Sequence, residues 1–325
     1  MPTPSRGAVE SIYLGGGTPS LLGTDGLARV IDLVADRYPP ASNAEITIEV
    51  NPDDVDRPSV SAWRSAGVNR VSLGVQSFDD RALAWMHRSH DAVAAHCAAN
   101  DIRDGGIGNW SLDLIFSLPP DLGRDWERDV AAATALEPSH MSLYGLTVEP
   151  HTPIARWRDR GSRVEAPEET YEREYLHAHD ALAAAGYEHY EVSNFARPGV
   201  QSRHNSGYWT GASYVGLGPA AHSFDGVERR WNEREYAAWT RRVCAGEDPA
   251  AGTEILSREN RVSEQVYLGL RTSNGLVLCD EEQRHVQPWV DAGWGFVEGT
   301  RLRLTPLGWL RLDAMSSSLT MLRSR

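Results

Sequence analysis

Short apolar, β-branched runs alternate with alanine-rich amphipathic stretches over the first two hundred residues. The runs lie at Ile12 to Leu14, Ile46 to Val50, Arg70 to Val75, Leu112 to Leu118, Met141 to Leu146 and His189 to Val192. Between them, Gly26 to Asp36, Pro58 to Ala66, Asp91 to Arg103, Trp126 to Leu136 and Pro167 to Ala185 carry helical spacing. Repeated βα units of this kind predict parallel strands joined by helical crossovers. Polar residues stand where the strands end: the Gly15 to Thr18 loop, Glu49, Gln76, Asp113 and Thr147. Such ends converge at one mouth of a βα barrel, where ligands bind, so a barrel or part-barrel is favoured over an open sheet.

Beyond residue 200 the pattern changes. Arg203 to Phe224, rich in glycine, aromatics and histidine, is expected to be a folded connecting segment without regular structure. From Ser257 two or three short helices precede Phe296 to Thr305, where alternation on both sides of Gly299 predicts a β-hairpin; a helix follows at Pro306 to Leu312. Helices plus a hairpin predict a small winged-helix-like module, with an internal packing role favoured over DNA binding by the acidic Asp280 to Glu282 stretch. The expected division is 1–200, 201–256 and 257–325.

With 325 residues, 41% of them hydrophobic and 24% charged, the chain can bury a large core. A net charge of -13 argues against nucleic acid, whose binding releases counterions from a basic surface. No apolar run of bilayer length, leader peptide or basic amphipathic helix is seen, so a cytoplasmic protein without a stable membrane anchor is expected. All 32 basic residues are arginine, which excludes a lysine Schiff base or a Walker-type loop. Cys97, Cys244 and Cys279 lie far apart, outside any metal-ligand spacing, and are expected to be buried free thiols; no metal ligand is assigned.

The Gly15-Gly16-Gly17 triplet lets main-chain groups press against a small polar ligand. Together Gly15 to Ser20, Glu49-Val50-Asn51-Pro52, Gly74 to Phe78 and Asp113 to Phe116 resemble, in order and spacing, successive motifs of the radical S-adenosylmethionine (SAM) proteins related to oxygen-independent coproporphyrinogen III oxidase. Gly186 to Pro198 and the HNxxYW pattern of His204, Asn205, Tyr208 and Trp209 narrow the resemblance to the HemW-type heme-chaperone branch. Gly216 to Ser223 and Leu304 to Gly308 extend it towards the C-terminus.

That resemblance implies a partial (β/α) TIM-like radical SAM barrel. Gly16, Gly17 and Thr18 would hold the aminocarboxylate end of SAM, Glu49 its ammonium or ribose hydroxyls, Gln76 and Asp113 ribose or amino groups, and Arg88 a carboxylate. His204, Asn205, Tyr208 and Trp209 would contact heme, with imidazole as the axial ligand and the aromatic rings against the porphyrin. His222 is a weaker candidate, and His177 with His179 is expected to form a solvated face. No catalytic residue is assigned. The partners implied are heme and heme-accepting apoproteins, with a homodimer left open.

The family also carries a CxxxCxxC loop that supplies three thiolates to a [4Fe-4S] cluster, and Met1 to Glu10 contains no cysteine. The first βα unit is accordingly expected to be missing. A start set late on a longer reading frame is favoured over a genuinely shortened protein, so upstream nucleotides should encode, in frame, a strand and CxxxCxxC within roughly forty to sixty residues. Smaller departures are His87, where the family usually has glycine, and Ser117 with Pro120 in place of a GLPG-like turn. The leading expectation is a heme chaperone. A true coproporphyrinogen oxidase and a cluster-less binding remnant are the alternatives.

Overall fold

A computed structural model describes residues 7–150, 152–161 and 164–324. The described residues form two compact units, one comprising Ala8–His204 and the other built on Asn205 onward.

The first unit is organised on a seven-stranded sheet of order β1-β2-β3-β4-β5-β7-β6. Strands β1 (Val9–Leu14), β2 (Pro40–Val50), β3 (Arg70–Gln76), β4 (Trp110–Phe116) and β5 (His140–Gly145) are parallel neighbours in chain order. Helices α1 (Gly23–Arg37), α2 (Arg57–Ser65), α3 (Asp80–Trp85), α4 (Ala92–Asp104) and α5 (Trp126–Ala135) lie in the crossovers, with α6 (Pro153–Asp159) and α7 (Glu168–Ala184) following β5. Several begin where a side-chain oxygen takes up a free first-turn amide: Asp56 accepts from the Ser59 N–H, Asp91 from Ala94 and Asp125 from Arg128.

The sixth apolar run departs from the parallel expectation. β6 (Glu188–Glu191) turns tightly into β7 (Asn194–Ala196), and β7 pairs antiparallel with both β6 and β5. Two residues between strands permit only an antiparallel hairpin, because a parallel return needs a full crossover.

One sheet face is apolar and covered by helices. Ile12, Ile48, Val71, Leu73, Val75, Leu112, Leu114 and Phe116 are buried there, as are Leu27, Ile31, Trp63, Ile102, Val130 and Leu182 of the helices. The opposite face is polar. Registered neighbours include Ser11 with Glu45, Tyr13 with Thr47, Glu49 with Ser72, Ser72 with Ser111, and Asp113 with Ser142. Strand alternation thus separates core from chemistry within the same residues.

Three further expectations are corrected. Cys97, Cys244 and Cys279 are free but exposed; on α4 the core stripe is Ala95, Ala98, Ala99 and Ile102, and Cys97 falls outside it. The segment at 203 is not irregular at its start: α8 spans Arg203–Trp209. His179 is not a solvated residue, because its Nδ1 lies 3.0 Å from Nδ1 of His189, whose ring stacks on Phe195.

In the second unit, β8 (His222–Phe224), β9 (Glu228–Asn232) and β10 (Ala250–Ile255) form an antiparallel sheet, with α9 (Tyr236–Cys244) between the last two. Then come α10 (Arg258–Arg271), β11 (Leu276–Val277), α11 (Asp280–Asp291), β12 (Gly295–Glu298), β13 (Arg301–Leu304), α12 (Pro306–Trp309) and α13 (Leu312–Arg323). The β12–β13 hairpin expected around Gly299 and β11 make a three-stranded sheet of order β11-β13-β12. Glu282 is buried: one carboxylate oxygen accepts the Cys279 N–H, and both accept from Arg323.

Candidate functional site

The glycine loop leaves β1 with left-handed backbone at Gly16 (φ 77°) and Gly17 (φ 74°), and no atom lies within 4 Å of where a β-carbon would stand at either. The side on which each β-carbon would stand therefore meets open space. Gly15 is tight instead: a β-carbon there would approach the Tyr13 ring to 2.5 Å and the Glu49 carboxylate to 2.9 Å. The three glycines serve different needs, two exposing backbone and one admitting side chains from β1 and β2. Thr18 is half-buried and precedes the Pro19–Leu22 turn of 3-10 helix.

Glu49, one residue from the end of β2, reaches back to this loop. Its Oε1 accepts the Tyr13 hydroxyl at 2.5 Å and its Oε2 the Gly16 N–H at 3.0 Å. Burial, and then the neighbouring Glu49 carboxylate, push the Tyr13 phenol well above its ordinary pKa, so Tyr13 remains a donor.

Across the sheet, Asp113 sits among hydroxyls. Its Oδ2 accepts Ser72 at 3.0 Å and its Oδ1 accepts Ser111 at 3.1 Å. Burial raises the Asp113 pKa, while the Ser142, Ser72 and Ser111 hydroxyls pull the other way and Glu49 adds to the rise. Gln76 ends β3 just past a register shift, with φ 71°. A left-handed non-glycine residue is strained, and here the turn brings the Gln76 amide close over Gly74, where Arg88 also arrives. Arg88 Nη2 donates to Asn51 Oδ1 at 3.0 Å and to the Gly74 carbonyl at 3.1 Å. Asp113 thus lies within electrostatic reach of both Glu49 and Arg88, and Arg88 and Gln76 meet over Gly74.

Of the HNxxYW residues, His204 belongs to the first unit. Its ring stacks on Tyr13 with centroids 4.5 Å apart and planes at 16°, and its Nδ1 lies 3.1 Å from the Ser11 hydroxyl. Burial lowers its pKa against the pull of Glu45 and Glu49, leaving imidazole neutral at pH 7, the form that can ligate a metal. Glu45 begins α8 by accepting the main-chain N–H groups of Arg203 at 3.2 Å and His204 at 3.1 Å.

Asn205, Tyr208 and Trp209 continue α8 in the second unit. The Tyr208 ring meets Tyr214 edge-on at 4.8 Å, and the Arg271 guanidinium lies 4.2 Å over the Trp209 ring. His222 lies on β8, its ring stacked on Trp231 with centroids 6.1 Å apart.

Several participants carry no sequence motif. Tyr13 and Glu45 were unmarked, as was a buried chain running behind Asp113. Ser111 Oγ lies 2.8 Å from His140 Nδ1, His140 Nε2 lies 2.7 Å from the Tyr190 hydroxyl, and that hydroxyl accepts the Ser202 N–H at 3.3 Å. Burial, then Arg70, hold the His140 pKa well below its usual value, so its Nδ1–H can donate to Ser111 while Nε2 accepts from Tyr190. Period-two polarity along β4 and β5 is the signal that could have found these residues.

Among the described residues no group of three or more His, Cys, Asp or Glu is placed to hold a metal ion. Cys97, Cys244 and Cys279 fall in no such group. No helix of the described residues is long and apolar enough to cross a membrane.

The radical SAM superfamily model matches residues 4–133. The heme chaperone HemW of Mycobacterium tuberculosis H37Rv is 37% identical over 314 residues, covering 96% of this chain and 80% of that protein. HemW of Synechocystis is 38% identical over 272 residues, covering 82% of this chain and 66% of that one. Among solved structures, coproporphyrinogen III oxidase (HemN) of Escherichia coli matches with a TM-score of 0.78 at 21% identity, over 97% of this chain and 78% of that one, a likeness of fold. With that fold and a relative of this identity along nearly its whole length, the chain belongs to the HemW family of radical SAM proteins.

Proposed function

We propose that this chain is a heme-binding chaperone that delivers heme to apoproteins in the cytoplasm, with His204 as the axial ligand of the iron. The observation that carries the reading is the setting of His204: a neutral imidazole oriented by a stacked tyrosine, a serine hydroxyl and a carboxylate-capped helix start. Asn205, Tyr208 and Trp209 follow His204 on the same helix. Orientation of this kind lowers the cost of binding, because the ligand ring need not be immobilised when iron arrives.

SAM is the second ligand in this reading. The space left on the β-carbon side of Gly16 and Gly17 suits its aminocarboxylate, with Thr18 adding a hydroxyl. Glu49, Gln76, Arg88 and Asp113 would take its ammonium, ribose and carboxylate groups. Glu49 would act with both oxygens already accepting one bond, so it offers remaining lone pairs in a fixed orientation. When bound beside a reduced iron–sulfur cluster, SAM is a source of radical chemistry. The described residues do not provide the cluster's thiolates, and no step is assigned to it. The likeness to HemN is one of fold, so an oxidase activity has no separate support.

Heme transfer tests the proposal. Protein loaded with hemin and mixed with an apo-hemoprotein should pass on its heme, seen as growth of the acceptor's Soret band. Retention of hemin by the chain, or equal transfer from free hemin and loaded protein, would remove the chaperone role.

A further inference from the structure

We propose that Tyr13 is a positioning residue that couples the Glu49 end of the glycine loop to His204, so that a change at one ligand position is felt at the other. The inference rests on the assignment of His204 to heme and Glu49 to the cosubstrate. Tyr13 has two functional ends. Its hydroxyl donates to Glu49 Oε1 at 2.5 Å, and its ring face lies against the His204 imidazole at 4.5 Å and 16°. The other Glu49 oxygen holds the Gly16 N–H, so the carboxylate joins the loop to the ring.

The surrounding residues leave this ring little choice of position. Gly15 has no β-carbon, and any added there would overlap both the Tyr13 ring and the Glu49 carboxylate. Behind the imidazole, Ser11 meets Nδ1, and Glu45 holds the main-chain N–H. A charge-assisted hydrogen bond fixes the phenol end, and the stacked face transmits its tilt to the imidazole plane. A ligand group competing for Glu49 would weaken the hold on Tyr13 and release the orientation of His204. By thermodynamic reciprocity, iron at His204 would alter how Glu49 receives its ligand.

A double-mutant cycle in hemin affinity, read from the Soret titration, separates this relay from direct electrostatics. The proteins are wild type, Glu49→Gln, Tyr13→Phe and the double variant, with His204→Ala as reference. Melting curves fix the folded fraction of each, so affinities are compared on folded protein. Glu49→Gln should weaken hemin binding by about threefold or more when Tyr13 is present and by less than about 1.5-fold when Phe replaces it. The same factor in both backgrounds, or no effect in either, overturns the relay while leaving heme at His204 intact. Unchanged affinity in His204→Ala overturns the heme assignment and the relay with it.

Discussion

Glu45 and His204 are 159 residues apart in sequence, and Glu45 Oε1 accepts the His204 main-chain N–H at 3.1 Å. The second strand thereby fixes where α8 begins, since the same carboxylate also takes the Arg203 N–H through Oε2. A buried acid that satisfies two first-turn amides orders the segment carrying the candidate heme ligand.

Replacing Glu45 with Ala strands those amides. Urea denaturation should show a loss of about 2 kcal/mol, with Glu45→Gln losing about half as much because one acceptor remains. A change below about 0.5 kcal/mol for Glu45→Ala would contradict the capping role.

Gly15→Ala is expected to destabilise the first unit by about 1 to 3 kcal/mol, because its β-carbon would meet the Tyr13 ring and Glu49 at less than 3 Å. Gly17→Ala meets no atom, and left-handed strain alone should cost about 1 kcal/mol. Melting temperatures of the two variants in that order check the assignment; the reverse order would refute it.

How much of this was legible in the sequence depends on the range of the signal. The β-branched strands and amphipathic helices were, because core burial imposes periods of 2 and 3.6 on nearby residues. Gly16, Glu49 and Gln76 stood out because they stand at the ends of apolar runs, and Asp113 because it interrupts one. Tyr13 looked like one more strand residue, and its role appears only when Glu49 and His204 come beside it. Glu45 was passed over because the Ala-Ser-Asn-Ala stretch before it reads as polar, although β2 already runs from Pro40. The β6–β7 hairpin was hidden because β7 has only three residues. Cys97 illustrates the opposite error: its residue type suggested burial, but its angular position on α4 decided exposure.

His140 gives the fold a sensitivity to acid. Burial, then Arg70, depress its pKa in the folded state, so the unfolded chain binds this proton more readily. No stability is lost on this account above the unfolded value of about 6.5, and the loss grows as pH falls below it. The slope attributable to His140 should approach 1.4 kcal/mol per pH unit below about pH 6, and His140→Gln should flatten the profile between pH 7 and 5. Parallel profiles for the two proteins would contradict a neutral His140.

Glu282 acts with the opposite sign. Burial opposes its ionisation, but the hydrogen bond from Arg323 and the Cys279 N–H prevail and hold its pKa below the ordinary value. Its stabilisation is therefore present above about pH 4.5 and fades as pH falls through the lower folded value. Glu282→Gln should cost about 2 kcal/mol at pH 7, and the difference should close in strong acid. A difference that persists unchanged in acid would argue that Glu282 acts by packing alone.

The most direct measurement is the Soret titration of wild type and His204→Ala with hemin at pH 7. Wild type should give a saturable, shifted Soret band, and His204→Ala should bind at least about tenfold more weakly, with a different maximum, as loss of an axial imidazole requires. Identical spectra and affinities for the two proteins would contradict heme ligation by His204.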